Sequence, residues 1–297
     1  MKKILFEGSG TALATPFDKN NQVNLAEFTK LINFQIQNKT DALIVCGTTG
    51  ESSTMTKEEK ISLIKCAINT SKNSSHPIPI IVGTGSNSTS TAIEMSQLAE
   101  NLGADGLLIV TPYYNKTTQA GLIKHYLEIA KNVSIPIILY NVPSRTGVNI
   151  EPQTCLELSK QENIVAIKEA SGNISQVLEI ASLCGEDLNI YSGNDDQILP
   201  ILSVGGIGVI SVLSNIKPEF THNLVYEFLS GNISKSQEMQ QKALPLIKAL
   251  FSEVNPIPVK ETLNLIGFDF GEPRLPLTKF TENNKKKIEE ILNNFSY

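Results

Sequence analysis

Tryptophan is absent from the 297 residues, histidine occurs three times, and cysteine and methionine four times each. His76, His125 and His222 stand far apart, and Cys46, Cys66, Cys155 and Cys184 include no C-x-x-C pair. Neither set has the spacing of a zinc site, so no metal is expected. Scattered cysteines, with Cys46 and Cys184 in apolar runs, read as reduced and mostly buried thiols of a cytosolic protein. No apolar stretch approaches the roughly 18 residues of a membrane span. Only three apolar residues follow Lys2-Lys3, too few for a signal peptide. The expected location is cytoplasmic, with no membrane partner. Basic blocks are also missing: 25 Lys and Arg stand against 30 Asp and Glu, for a net charge of -5 and a pI near 5.4. A nucleic-acid partner is therefore not expected. The run Lys285-Lys286-Lys287, beside Glu289 and Glu290, reads as a solvated helix face. Nucleotide fingerprints are missing too. Gly83-Thr84-Gly85 lacks a third glycine, and Gly205-Gly206-Ile207-Gly208 leads into a strand rather than opening a helix. No cofactor is expected.

What the chain does have is an ample apolar content, 41%, arranged in short β-branched runs. Eight of them recur at near-regular intervals: 11–14, 42–46, 78–82, 106–110, 135–140, 164–167, 188–191 and 207–212. Segments of helical spacing lie between them, such as Phe28, Leu31, Ile32, Gln35 and Ile36, or Ile61, Ile64, Lys65 and Ile68. Near-continuous apolar strands alternating with amphipathic helices imply a parallel sheet covered by helices. Eight such units predict an α/β fold, a (β/α)8 TIM barrel. The strand pattern stops near residue 215, and 218–230, 235–252, 256–267 and 279–295 look helical. We expect a barrel over 1–224 and a C-terminal helical extension over 225–297, packed on the barrel.

Active sites of such barrels lie at the C-terminal ends of the strands. Six polar clusters fall there: Gly47-Thr48-Thr49-Gly50-Glu51-Ser52, the stretch 83–87 ending in Asn87, Thr111-Pro112-Tyr113-Tyr114-Asn115, Tyr140 to Gly147, Lys168 to Gly172, and Ser192-Gly193-Asn194-Asp195. Six on one rim look like a pocket. Individually each leaves two readings. Gly47 to Gly50 is a tight turn with a capping threonine, or an anion nest of N–H groups and hydroxyls. Tyr113 and Tyr114 are core or interface aromatics, or site residues. Arg145 caps a helix or pairs with Glu151, or binds an anion. Asp195 and Asp196 read as caps of the following helix rather than metal ligands.

Lys168 ends the run Ile164-Val165-Ala166-Ile167, where an ammonium group is costly to bury. Its head either snorkels to solvent or stays among apolar neighbours. Burial disfavours the charged form, and a neutral amine can attack a carbonyl to form a Schiff base. A phenol nearby, such as Tyr140 on the adjacent strand, could move the protons.

These segments, with Gly208-Val209-Ile210-Ser211-Val212 and Asn255-Pro256-Ile257-Pro258-Val259-Lys260, resemble in order and spacing the pyruvate-dependent class I aldolases, and among them the dihydrodipicolinate synthase family. The resemblance runs from about Gly8 to Pro276. It implies that Lys168 forms an imine with pyruvate and that the derived enamine attacks aspartate 4-semialdehyde. It implies a proton relay of Thr48, Tyr140 and Tyr114, with Tyr114 reaching in from a neighbouring subunit. Thr48 and Thr49 would hold the pyruvate carboxylate, Gly193 and Ile210 would shape the pocket, and Arg145 would bind the semialdehyde carboxylate. An arginine there suits a carboxylate-bearing acceptor better than the sugar acceptors of other class I aldolases. A homotetramer, a dimer of dimers with Tyr113 at an interface, is implied as well.

Lysine-inhibited members of that family carry an effector pocket at the dimer interface. Ser52, Asn87 and Tyr113 look like parts of it. Lys57 and Lys60 stand where such members have two histidines, and Thr91 where they have a glutamate. Added positive charge and a lost carboxylate would repel the ammonium of lysine, so weak or absent feedback by lysine is expected.

Overall fold

The computed structural model describes residues 2–295. Each of the eight apolar runs becomes a strand: β1 (Gly8–Ala12), β2 (Ala42–Val45), β3 (Ile80–Gly83), β4 (Gly106–Val110), β5 (Ile137–Asn141), β6 (Ile164–Glu169), β7 (Asn189–Ser192) and β8 (Gly208–Ser211). The helices are α1 (Leu25–Gln37), α2 (Lys57–Lys72), α3 (Thr89–Leu102), α4 (Gln119–Lys131), α5 (Pro143–Thr146), α6 (Pro152–Ser159), α7 (Ile174–Cys184), α8 (Ile198–Ser203), α9 (Pro218–Leu229), α10 (Ile233–Leu250), α11 (Ile257–Leu265) and α12 (Glu282–Asn294). Every strand pairs in parallel with its sequence neighbours, and β8 returns to β1, closing a (β/α)8 barrel. The expected α/β barrel and its order are therefore found.

The largest displacement from expectation is at β1, which begins at Gly8 rather than Thr11. Apolar patterning could not find it, because β1 opens with Gly8-Ser9-Gly10 and its seam with β8 starts on a pair of glycines. Gly8 pairs with Gly208, and a Cβ on Gly208 would lie 2.2 Å from the Gly8 carbonyl oxygen. Only bare backbone closes the ring at that distance.

Two cores follow from the period of two along each strand. Leu43 and Val45, Leu107 and Ile109, and Ile137 and Leu139 face outward and join the helices in one buried cluster. Ala42, Ile44, Leu108, Ile138, Tyr140, Ala166, Tyr191 and Ile210 belong to a second, inside the barrel. Phe6 joins the inner cluster from below, its ring stacked on Tyr191 at 4.4 Å and its carbonyl accepting from the Tyr191 hydroxyl. The helices begin where short polar side chains can cap them. Asn24, Ser88, Thr118 and Asn173 each accept from a backbone N–H in the first turn, and Thr56 with Glu59 forms a full capping box.

Helix α9 runs through the division expected at 224/225 and packs against β1 and β8. Helices α10, α11 and α12 follow it and pack on one another. A buried electrostatic cluster ties this extension to the barrel. Lys260 on α11 donates to Glu51 at 2.7 Å, and both side chains are 1% exposed. Two cations lie over the Phe17 ring, Lys260 at 4.2 Å and Arg274 at 4.1 Å from its centre. Glu51 also accepts the Arg274 backbone N–H, and the Arg274 guanidinium pairs with Glu59, holding that carboxyl below its usual range. Burial pulls the Lys260 ammonium down to about 8, against the attraction of Glu51.

A buried ion pair is more costly to break than to replace. Lys260→Met, which strands Glu51, should lower unfolding stability by about 3–5 kcal/mol in urea titration, and Lys260→Met with Glu51→Gln should recover part of that loss.

Candidate active site

Strand β6 decides where the lysine goes. Ala166 is in the inner cluster and Ile167 in the outer one, so Lys168 falls on the inner face. It is 5% exposed. In the β5–β6 register it lies opposite Tyr140, and its Nζ sits 4.5 Å from the centre of the tyrosine ring. The next pair in register, Asn141 and Glu169, faces outward. There the Glu169 carboxylate, 1% exposed, accepts from Asn141 at 2.9 Å, from Gln176 on α7 at 3.2 Å and from the Ser171 N–H at 2.6 Å. Asn141 also donates to Asn149, and Asn149 to Gln176. This clamp stands above an irregularity in the same pairing between Ile137 and Ile138. It fixes the register above that irregularity, which keeps Lys168 and Tyr140 side by side on the opposite face.

A cavity of about 210 Å³ opens over this pair. Thr48, Thr49, Arg145 and Gly193 line it together with Lys168 and Tyr140. Arg145 lies on the short helix α5 and donates to the Asn255 carbonyl at 3.3 Å, rather than to Glu151. Thr49 is buried, and its hydroxyl accepts from Asn255 at 3.0 Å. Gly193 brings its backbone against β6, where a Cβ would lie 2.6 Å from that of Ala170. No aspartate or glutamate among the described residues lines the cavity, and its basic side chains are Lys168 and Arg145. Asp195 lies near but does not cap the following helix as expected. It is 2% exposed and accepts from the N–H groups of Val212 and Leu213 and from the Ser211 hydroxyl, closing the turn after β8. Burial raises its carboxyl above the usual range, and those donors oppose the rise.

A second cavity, of about 270 Å³, adjoins the first. Ser52, Lys60, Thr91 and Tyr113 line it, and Gly47, Thr48, Leu108 and Tyr140 are common to both. Lys57 is not on its wall; it forms an ion pair with Glu94, so only one of the two lysines faces this space. Asn87 lies beside it, its carbonyl accepting from Asn115 at 3.0 Å. Besides Asn87, two of the singled-out residues line neither cavity. Ile210 is fully buried in the barrel interior. Tyr114 is 93% exposed, at a left-handed φ of 70°.

The model of the dihydrodipicolinate synthetase family matches residues 5–295. The chain belongs to this family. It is 59% identical over 97% of its length to the 4-hydroxy-tetrahydrodipicolinate synthase of Caldicellulosiruptor saccharolyticus, of which 96% is covered. Among solved structures, the dihydrodipicolinate synthase of Thermotoga maritima superposes with a TM-score of 0.95 at 44% identity, over 98% of this chain and 99% of that one. A dihydrodipicolinate synthase of Cyanidioschyzon merolae, solved with lysine bound, superposes with a TM-score of 0.95 at 38% identity over 98% of both chains.

Two cavity residues of this family member carried no assigned role in the sequence. Asn255 and Phe251 come from the extension and reach the cavity wall about a hundred residues after Arg145 in the chain. The only signal for Asn255 was the segment Asn255 to Lys260, a polar residue followed by two prolines, and Phe251 lies outside it. The Glu169 clamp was hidden because its partners come from β5, α7 and a loop. Glu169→Gln places an amide N–H2 against donors it must accept from, so it should cost about 1–3 kcal/mol in chemical denaturation. Borohydride trapping of a keto acid on Lys168 should slow in the same variant.

Proposed function

We propose that the chain is a 4-hydroxy-tetrahydrodipicolinate synthase, a lyase of the class I aldolase type that condenses pyruvate with L-aspartate 4-semialdehyde in diaminopimelate and lysine biosynthesis. The observation that carries the reading is Lys168, buried beside Tyr140 in a cavity lined by Arg145 and by no aspartate or glutamate among the described residues. Both substrates are carboxylates, and one must be held as an imine.

The Lys168 amine adds to the pyruvate ketone and water leaves, forming the imine. Loss of a methyl proton gives an enamine. Its carbon attacks the aldehyde of the semialdehyde, forming the carbon–carbon bond, and the aldehyde oxygen takes up a proton. The α-amine of the adduct then attacks the imine carbon, closing a six-membered ring and expelling the lysine. Tyr140 is in reach to move these protons, with Thr48 beside it on the shared wall of the two cavities. Thr48 and Thr49 hold the pyruvate carboxylate at the strand-to-loop nest, with Gly193 and Ile210 shaping the space around it. Arg145 forks onto the semialdehyde carboxylate at the rim. Tyr114 completes the relay from a neighbouring subunit, a role that suits an exposed aromatic held at positive φ. The working form is a homotetramer of tight dimers with Tyr113 at an interface. The enzyme acts in the cytoplasm; no described helix is long and apolar enough to cross a membrane.

The second cavity is the place for an effector, bordered by Ser52, Tyr113 and Asn87. Lys60 and Thr91 on its wall disfavour an ammonium ligand, while Lys57 is already neutralised by Glu94. Free lysine should therefore inhibit weakly. An inhibition curve with its midpoint in the sub-millimolar range would overturn this.

Pyruvate-dependent consumption of the semialdehyde should be lost in Lys168→Ala, and borohydride with pyruvate should add mass at Lys168 of the native chain only. Turnover that survives the substitution refutes the nucleophile. Pyruvate trapped on Lys168 without semialdehyde turnover would keep the imine and refute the acceptor.

A further inference from the structure

Asn255 touches both anion-binding groups of the cavity from outside the barrel. Its side-chain amide donates to the Thr49 hydroxyl at 3.0 Å, and its backbone carbonyl accepts from Arg145 at 3.3 Å. Five residues on, Lys260 of the same segment donates to Glu51, two residues beyond Thr49. The Asn255–Lys260 segment is therefore clasped to the Thr49–Glu51 loop at two points. Asn255 is 6% exposed, and its Oδ1 is buried with no hydrogen-bond partner. A buried acceptor left unpaired costs free energy that a filler residue would not incur. The amide is held in place despite that cost.

We infer that Asn255 is a positioning residue that orients the Thr49 hydroxyl and the Arg145 guanidinium together, so that the C-terminal extension sets the geometry of both carboxylate subsites. This rests on the assignment of Thr49 and Arg145 as carboxylate binders. The direction of the first hydrogen bond is the central point. Because Thr49 accepts from Asn255, its own hydroxyl proton is released to donate toward the cavity. An aspartate of the same shape would take that proton for itself. It would also set a negative charge between two sites built for anions.

The test is steady-state kinetics of Asn255→Asp and Asn255→Ala, alone and combined with Thr49→Val. Asn255→Asp should raise KM for pyruvate and for the semialdehyde about tenfold or more, with kcat changed less than about threefold. Adding Asn255→Ala to Thr49→Val should raise the pyruvate KM no further than Thr49→Val does, since residues acting through one contact are not additive. A fall in kcat with both KM values unmoved, together with a lowered unfolding midpoint, overturns the inference and leaves Asn255 a structural residue. Fully additive effects on the pyruvate KM overturn it as well. The single variants Thr49→Val and Arg145→Gln separate the two ways to fail. If they too leave KM unchanged, the fault lies in the subsite assignment; if they raise it, the fault lies in the role given to Asn255.

Discussion

A strand has two faces, and in β6 the reagent and its support occupy opposite ones. Lys168 points into the barrel, and Glu169 points out to the buried amides of Asn141 and Gln176. Neither could serve without the other. A lysine on a strand free to slip by one residue would turn outward into the apolar layer, and Tyr140 would no longer be opposite. A carboxylate buried without donors would be too costly to keep. The hydrogen bonds that satisfy Glu169 run between β5, β6 and α7, so satisfying the charge and fixing the register are one interaction. The rest of the site is built around a lysine whose position is settled from behind.

The same economy recurs at the junction with the helical extension. Glu51 follows the Gly47–Gly50 turn with left-handed backbone, and a turn of that kind needs an external partner to stay in one conformation. Lys260 and the Arg274 backbone provide it, and the Phe17 ring packs against both cations. A loop that must offer hydroxyls and N–H groups to a ligand cannot also satisfy itself internally. The extension supplies that order from outside, so residues far along the chain belong to the site's construction.

Legibility in the sequence followed the range of the physics. Eight strands could be read because apolar alternation is local, and Lys168 could be read because a lysine ending such a run breaks that alternation. Tyr140 followed, since neighbouring strands of a parallel barrel bring their C-terminal ends together. The start of β1 could not be read, because glycine contributes backbone pairing without any apolar signal. Asp195 was misplaced for a related reason. Its short-range reading as a helix cap lost to stronger donors at the end of β8, a neighbour only in space. Lys57 read as a charge facing a pocket until Glu94, on the adjacent helix, was found to neutralise it. In each case a local rule was overridden by a partner distant in sequence.

Charge distribution joins these parts. The chain is acidic overall, at -5, yet no carboxylate lines either cavity at the barrel mouth. The carboxylates nearest the chemistry, Glu51, Glu169 and Asp195, are all withdrawn into buried hydrogen bonds on the far side of the backbone. Each holds a loop or strand end in place with its oxygens turned to its own donors, and of the three Asp195 also attracts Lys168. Lys168 and Arg145 are left as the basic side chains facing the cavity above β6. A guanidinium in a partly desolvated space attracts anions more strongly than the same group on an open surface. An acidic protein thereby presents a locally positive mouth, and it does so by folding its structural carboxylates behind the wall rather than by adding further lysines to the rim.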